Sequence, residues 1–169
     1  MLALSTAFFI LSNLSVAPFY LLMLAAPRAA WTRRVLGSLW PVAVPAIVYV
    51  VFVGLILAMS RPDVLGLWRA LYIDNGLFGS GAVALLSRLY GSYPEFAILH
   101  GWVHVVVGDI FIARWAYLDA VDRGVAAWQI ALVALLIGFL GPIGVVVYLL
   151  MRLAASRSRM APPATLPKD

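Results

Sequence analysis

The amino-acid sequence predicts an all-α integral membrane protein, a bundle of four transmembrane helices with a short amphipathic interfacial segment between spans two and three. Hydrophobic residues make up 64% of the chain, charged residues make up only 11%, and the mean hydropathy is +1.02. Soluble domains are typically about 45–50% apolar and about 25% charged, so they could not bury this much apolar surface. Four apolar runs also reach the roughly 20 residues that a helix needs to cross the hydrocarbon core.

These four runs define the predicted spans, which together form a single membrane domain, residues 1–153. The tail from 154 to 169 contains three prolines and is predicted to be disordered. Prolines inside the first, second and fourth runs predict kinks, because each removes a backbone hydrogen bond that neighbouring groups must replace. The predicted spans run approximately from Ala3 to Leu24, Val35 to Met59, Phe96 to Leu118 and Trp128 to Leu153.

The segment between the second and third spans, Ser60–Glu95, is too polar to cross a membrane and too apolar to remain free in water. Its tryptophan, tyrosine and leucine residues are interspersed with Arg69, Asp74 and Arg88. This mixture predicts one or two short amphipathic helices that lie in the membrane interface.

Charge and cysteine content exclude several classes of function. The net charge is +5, but the arginines lie between apolar runs, which suits lipid headgroups and predicts no nucleic-acid partner. The absence of cysteine excludes disulfides, thiolate catalysis and iron–sulfur clusters. No basic residue precedes Arg28, so the first run is expected to be a retained span. An even number of spans and the arginine distribution favour cytoplasmic termini.

The third span carries His100, His104, Asp109 and Arg114 inside an apolar run. Ionisable groups at the bilayer centre cost at least ~2.5–3.5 kcal/mol, so they usually serve a function or form a buried pair. At about 100° per residue the histidines share one face, whereas Asp109 and Arg114 point in two other directions. This span is therefore predicted to be central, and Asp109 and Arg114 are expected to find partners on other helices.

A two-histidine metal site is the first interpretation that His100 and His104 suggest, because ligands four residues apart share a helix face. The chain has no other histidine, and a third ligand would have to be Glu95 or Asp109. We therefore predict no metal, and Asp122 is interpreted as an anchor at the helix end.

Asp109 is the strongest candidate for chemistry. A carboxyl near the membrane midplane is either neutral or paired with a cation, and either state suits proton transfer. Two interpretations stay open at this point: an ion pair between helices, or a group that faces the substrate. In the first span, Asn13 and Tyr20 could line the same cavity, although small polar groups also join membrane helices.

The third span also resembles a known family. It contains GWVH, GDIFIARW and YLD between Gly101 and Asp119, similar to the Trp-x-His…Asp-Leu-(Phe/Tyr)…Arg…Asp signature of the abscisic-acid-deficient-4-like family. Ala17–Pro27 resembles the family's Pro-Phe-Tyr…Pro segment, and Gly141–Leu150 resembles its (Gly/Cys)-Pro-x-Gly segment. The order and spacing of these motifs agree from about Leu11 to Met151.

The resemblance implies a four-span membrane protein of carotenoid metabolism. In plants the implied reaction is the redox-neutral isomerisation of the epoxide violaxanthin to the allene neoxanthin, which needs an acid, a base and no electron carrier. The resemblance therefore implies no cofactor, and His100, which falls outside the family signature, is interpreted as a structural residue. The compact chain resembles bacterial members, so we expect the bacterial inner membrane and a carotenoid or other polyisoprenoid as substrate.

Site roles follow from the resemblance together with the residues. His104 and Asp109 are predicted to form the proton-transfer pair, and Arg114 to anchor a polar end group or hold a carboxylate. Expected partners are membrane lipids and the apolar ligand, with a homodimer or a membrane-complex partner left open. Two other functions stay open: a non-catalytic carotenoid- or lipid-binding accessory subunit, and a small proton-coupled transporter. The predicted substrate-binding residues are Trp102, Asp119, Trp115, Asn13 and Tyr20.

Overall fold

The computed structural model describes residues 2–60 and 94–160 and the single positions 66, 69, 73, 74, 84 and 87. Within those ranges, side chains are described except at 2–5, 56, 57, 59, 60, 94–100 and 156–160. The predicted interfacial segment therefore lies almost wholly outside the described residues. The predicted tail from 161 onward and the side chain of His100 also lie outside them.

The all-α prediction is confirmed, since the two long described stretches contain helices joined by short turns and no strand. Two helices, α1 and α4, correspond to the predicted first and third spans. The remaining apolar runs are each divided into two helices. The six helices of these two stretches are α1 (Leu2–Ala25), α2 (Ala30–Gly37), α3 (Trp40–Ser60), α4 (Pro94–Asp122), α5 (Ala127–Leu140) and α6 (Pro142–Met160).

Only part of this helical content meets the length and hydropathy expected of a membrane span. Among the described residues, Thr6–Ala25 of α1 is long and apolar enough to cross a bilayer. The pair Ala30–Gly37 and Trp40–Leu55 reaches that standard together, with a bend of 42° at the break. The apolar parts of α5 and α6 are shorter. The described helices thus supply one candidate span, or two when the bent pair is counted as one.

The break between α2 and α3 has a local cause. Ser38 is extended, with φ −78° and ψ 178°, and its hydroxyl donates to the Val35 carbonyl at 2.6 Å. Pro41 follows in the first turn of α3. Backbone N–H groups in a first turn make no intrahelical hydrogen bond, so the proline costs the helix none. The chain therefore ends one helix and begins another inside the predicted second span.

A second break divides the predicted fourth span at Gly141. Its φ of +50° lies in the left-handed region that favours glycine, and Pro142 begins α6 directly afterwards. Gly144 approaches α5 so closely that a Cβ there would lie 2.4 Å from the Ile137 backbone nitrogen. Such an approach between residues on the two sides of Gly141 requires the chain to turn back sharply.

Contacts with α4 show that α5 and α6 form an antiparallel hairpin. Asp109, near the middle of α4, lies beside Gly141 at the tip of the hairpin. Asp119, near the end of α4, contacts Tyr148 and Arg152 of α6. The chain thus returns towards the end of α4, where α5 began, rather than continuing as one fourth span. The even span count behind the prediction of cytoplasmic termini is therefore not supported.

The chain divides into two compact units, which we describe separately. The first unit contains the described parts of Met1–Pro18 and Leu39–Gly108. Its core includes Phe8, Phe52 and Val103, and the two phenylalanine rings lie 4.9 Å apart between centroids. Helices α1 and α4 each contribute one part to this unit and one part to the second.

The second unit contains the described parts of Phe19–Ser38 and Asp109–Asp169. Buried residues on α4 and α5, four of them alanines, line one shared gap too narrow for water, which indicates close helix packing of the kind common in membrane proteins. Tyr117 donates from its hydroxyl to the Pro27 carbonyl at 2.9 Å. Arg28 donates to the Gly124 carbonyl at 2.9 Å, so the turn after α1 is joined to the turn after α4.

Candidate functional site

Tyr20 of α1 and Asp109 of α4 both approach the last turn of α5, at the tip of the hairpin. The Tyr20 Cε1 atom lies 3.0 Å from the position that a Cβ would occupy on Gly138. The Asp109 Oδ1 atom lies 3.4 Å from the equivalent position on Gly141. The two glycines are three residues apart, about one helical turn. Because neither has a side chain, both polar groups can come close to the hairpin.

The Tyr20 hydroxyl is buried, and among the described residues it has no hydrogen-bond partner. Leaving such a group unpaired costs about 1–3 kcal/mol, which a correctly placed polar atom would recover. Asp109 is half-buried and interacts electrostatically with Tyr20. The two groups therefore form a small polar site inside apolar surroundings, with one hydroxyl donor and one carboxyl.

The N-terminus of α6 also lies beside Asp109. Gly141 immediately precedes Pro142, the first residue of α6, and its position approaches the Asp109 carboxyl. Among the described residues Asp109 makes no hydrogen bond or ion pair, so the predicted ion pair to another helix is not found there.

Arg114 has a structural partner that the sequence did not identify. Its Nε donates to the Leu36 carbonyl at 2.6 Å, and its Nη2 donates to the Gly37 carbonyl at 3.1 Å. The last carbonyls of a helix have no intrahelical donors and carry the negative end of the dipole. Arg114 therefore closes the C-terminus of α2, which confirms that it finds its partner on another helix. Its catalytic role stays a prediction.

Asp119 is the centre of an ionic cluster at the end of α4. Its Oδ2 accepts hydrogen bonds from Arg123 Nε, at 2.7 Å, and from the Tyr148 hydroxyl. Arg152 Nε lies 3.6 Å from the same oxygen. The hydrogen bond from Arg123 is the main reason that the pKa of Asp119 is lowered, and Tyr148 and both guanidinium charges act in the same direction against partial burial. Its predicted substrate-binding role stays a prediction.

Tyr148 is a residue that the sequence interpretation missed. Its ring meets the Trp115 ring edge-on, with centroids 5.5 Å apart, while its hydroxyl binds Asp119. It thereby links two predicted substrate-binding residues through one buried side chain. The sequence feature that could have identified Tyr148 is its position as the one tyrosine in the apolar run GPIGVVVYLL.

The other predicted site residues lie in the first unit. The Trp102 ring packs on Phe9 at 5.3 Å, and His104 meets Tyr49 edge-on at 5.8 Å. Asn13 donates to the Phe9 carbonyl of its own helix at 2.7 Å, which satisfies its amide locally. The roles predicted for these residues stay predictions.

The structure therefore brings Tyr20 and Asp109 together in the second unit and places His104 in the first. The predicted pairing of His104 with Asp109 stays a prediction. Where side chains are described, no three histidine, aspartate or glutamate residues cluster as metal ligands.

Comparison with known proteins gives one family and one curated relative. The sequence model of the ABA DEFICIENT 4-like family matches residues 7–148. Over 119 residues the chain is 25% identical to Protein ABA DEFICIENT 4, chloroplastic, from Arabidopsis thaliana, which covers 70% of this chain and 50% of that protein. The chain thus spans half the length of this relative, and no solved structure matches it. The match over most of its length shows that the chain belongs to the ABA DEFICIENT 4-like family.

Proposed function

We propose that this protein is a cofactor-independent membrane enzyme that isomerises an epoxycarotenoid or a related polyisoprenoid. Family membership supports a carotenoid-related role. The observation that carries the catalytic part is the juxtaposition of the Asp109 carboxyl with the buried, unpaired Tyr20 hydroxyl at the hairpin tip. Non-helical backbone at membrane depth is tolerated where it lines a cavity or is buried in protein, and the turn at Gly141 fits that rule.

The proposed reaction moves protons and no electrons to or from a cofactor. A general acid protonates the epoxide oxygen as its carbon–oxygen bond breaks, and a general base removes the vinylic proton beside the ring. The electron pair released from that carbon–hydrogen bond forms the new double bond of the allene. Asp109 is the proposed base. Tyr20 is the proposed hydrogen-bond donor to the oxygen, and His104 from the family signature is the alternative acid.

An assay of conversion in reconstituted vesicles tests this proposal. Asp109→Asn should lower the rate by about 10²–10⁴-fold, the usual contribution of a general acid or base, while pigment binding and folding persist. Asp122→Asn is the matched control, because Asp122 lies on the same helix in an exposed ion pair with Arg33. Full conversion by the Asp109 variant would contradict the mechanism.

A non-catalytic pigment-binding subunit is the second candidate. It is favoured by the contacts of Arg114 and Asp119, because both charged groups are engaged by other parts of the same chain. A stable assembly that retains a polyene spectrum but shows no turnover would favour this function.

The proposed location is the bacterial inner membrane, with lipids and an apolar ligand as partners. The candidate span in α1 and the high hydropathy support membrane insertion. A homodimer or a larger complex is compatible with the proposal, and crosslinking in native membranes would distinguish the two.

A further inference from the structure

A second polar feature lies away from the Tyr20–Asp109 site, at the end of α4. A cavity of about 460 Å³ is lined by Arg123, Leu149, Arg152 and Leu153. Leu149, Arg152 and Leu153 are spaced three and four residues apart on α6, so they share one helix face. Arg123 directly follows the last residue of α4. The cavity therefore combines two guanidinium groups with two apolar side chains.

The two guanidinium groups at this cavity share one carboxylate and stay partly exposed. Both arginines interact with Asp119. The Arg152 Nε atom lies 3.6 Å from the Asp119 carboxylate, which is beyond the usual hydrogen-bond distance. This ion pair therefore does not engage the N–H groups of Arg152 in a hydrogen bond. Its side chain is 37% exposed, and that of Arg123 is 36% exposed. An anion could therefore reach both guanidinium groups without displacing Asp119.

The apolar part of the cavity indicates the class of anion. Leu149 lies one helical turn closer to the hairpin tip than Leu153. The predicted third span ends at Leu118, just before Asp119, so the arginines lie at the expected level of lipid headgroups. Basic pockets between membrane helices at this level bind acidic headgroups, and leucines below them suit an acyl chain.

We propose that this cavity binds one anionic phospholipid, with its phosphate between Arg123 and Arg152 and its acyl chain along Leu149 and Leu153. This inference rests on the proposed membrane location, but it is independent of the proposed reaction. A soluble phosphate ion shares the headgroup chemistry, so the experiment has to distinguish the two sources.

Native mass spectrometry of the full chain, released from phosphatidylcholine vesicles that contain phosphatidylglycerol, tests this inference. Arg152→Gln should weaken phosphatidylglycerol binding about fivefold, the effect of roughly 1 kcal/mol per basic residue near a membrane surface. Leu149→Ala should also weaken it while leaving every charge in place. Arg34→Gln is the control, because Arg34 is an exposed arginine on α2.

The inference stands if both cavity variants lose phosphatidylglycerol and the control does not. Equal loss in the control would show a general charge effect and would overturn it. Displacement of the lipid by inorganic phosphate, or unchanged binding in Leu149→Ala, would reduce the site to one for a small anion and would also overturn it. Failure of the chain to enter phosphatidylcholine vesicles would instead contradict the membrane location.

Discussion

Two aspartates lie ten residues apart on α4, and their surroundings differ sharply. Asp119 accepts hydrogen bonds from Arg123 and Tyr148 and has Arg152 nearby. Asp109 has no hydrogen bond or ion pair among the described residues, and the unpaired Tyr20 hydroxyl belongs to the same site at the hairpin tip. A carboxylate with several donors holds the fold together, whereas one left beside an unpaired hydroxyl is available to a ligand. On the same helix, Asp119 thus has the surroundings of a structural residue and Asp109 those of the proposed catalytic residue.

The largest expected effect comes from exchanging each carboxylate for an amide and comparing activity. Asp109→Asn should lower conversion by about 10²–10⁴-fold, because an amide cannot accept the substrate proton. Asp119→Asn should retain conversion within about tenfold, since its partners are structural. Turnover by both variants in one lipid mixture is the measurement, and equal losses would remove the distinction between the two sites.

The same two variants should rank in the opposite order for stability. Asp119→Asn should lower the free energy of unfolding by about 1–2 kcal/mol, because hydrogen bonds to a charged group are lost near the surface. Asp109→Asn should change it little, since no hydrogen bond to Asp109 is present among the described residues. Denaturation in detergent provides the comparison, and a larger loss for Asp109→Asn would assign Asp109 a structural role.

A smaller effect should follow from filling the space beside Tyr20. In Gly138→Ala the new Cβ would lie 3.0 Å from Tyr20 Cε1, so the ring has to shift. Displaced catalytic groups lose rate steeply, and we expect about a tenfold reduction in turnover. Gly37→Ala is the control, because a Cβ there meets nothing within 4 Å. Unchanged turnover in Gly138→Ala would show that the Tyr20 position is not critical.

The smallest expected effect is the contribution of Asp119 to the pH dependence of stability. Its pKa is lowered in the folded protein, chiefly by the hydrogen bond from Arg123. This contribution to stability is therefore complete above the unfolded pKa of about 3.9 and is lost as the pH falls through the lower folded pKa. Below about pH 5, the free energy of unfolding should fall more steeply with decreasing pH for the native chain than for Asp119→Asn. Parallel curves would contradict the assignment.

The sequence predicts much of the helical content but not the path of its last part. The apolar run Trp128–Leu153 satisfies the length of one span, so it favoured a single crossing with a kink. Gly141, Pro142 and Gly144 carry the signal for a tighter turn, because a positive φ and a close backbone approach both require glycine. A hydropathy profile does not show the direction in which a helix runs. The reversal is seen only in the contacts that the hairpin makes with α4.

The site was predictable as a set of residue types and not as an arrangement. The cost of charges in an apolar run identified Asp109 and Arg114. The partners of Arg114 are backbone carbonyls 77 and 78 residues away, which no side-chain pattern reveals. Tyr20 was one of several polar residues in the first span, and only the packing of α1 against Gly138 places it near Asp109.

The most direct test of the central claim follows a label on the substrate. The purified protein, without added cofactor, is given an epoxycarotenoid that carries deuterium at the vinylic carbon beside the epoxide ring. We predict an allenic product that has lost this deuterium to water, and neither product nor label loss with Asp109→Asn. Product formation with the deuterium retained, or equal label loss in the variant, would contradict a role for Asp109 as the base.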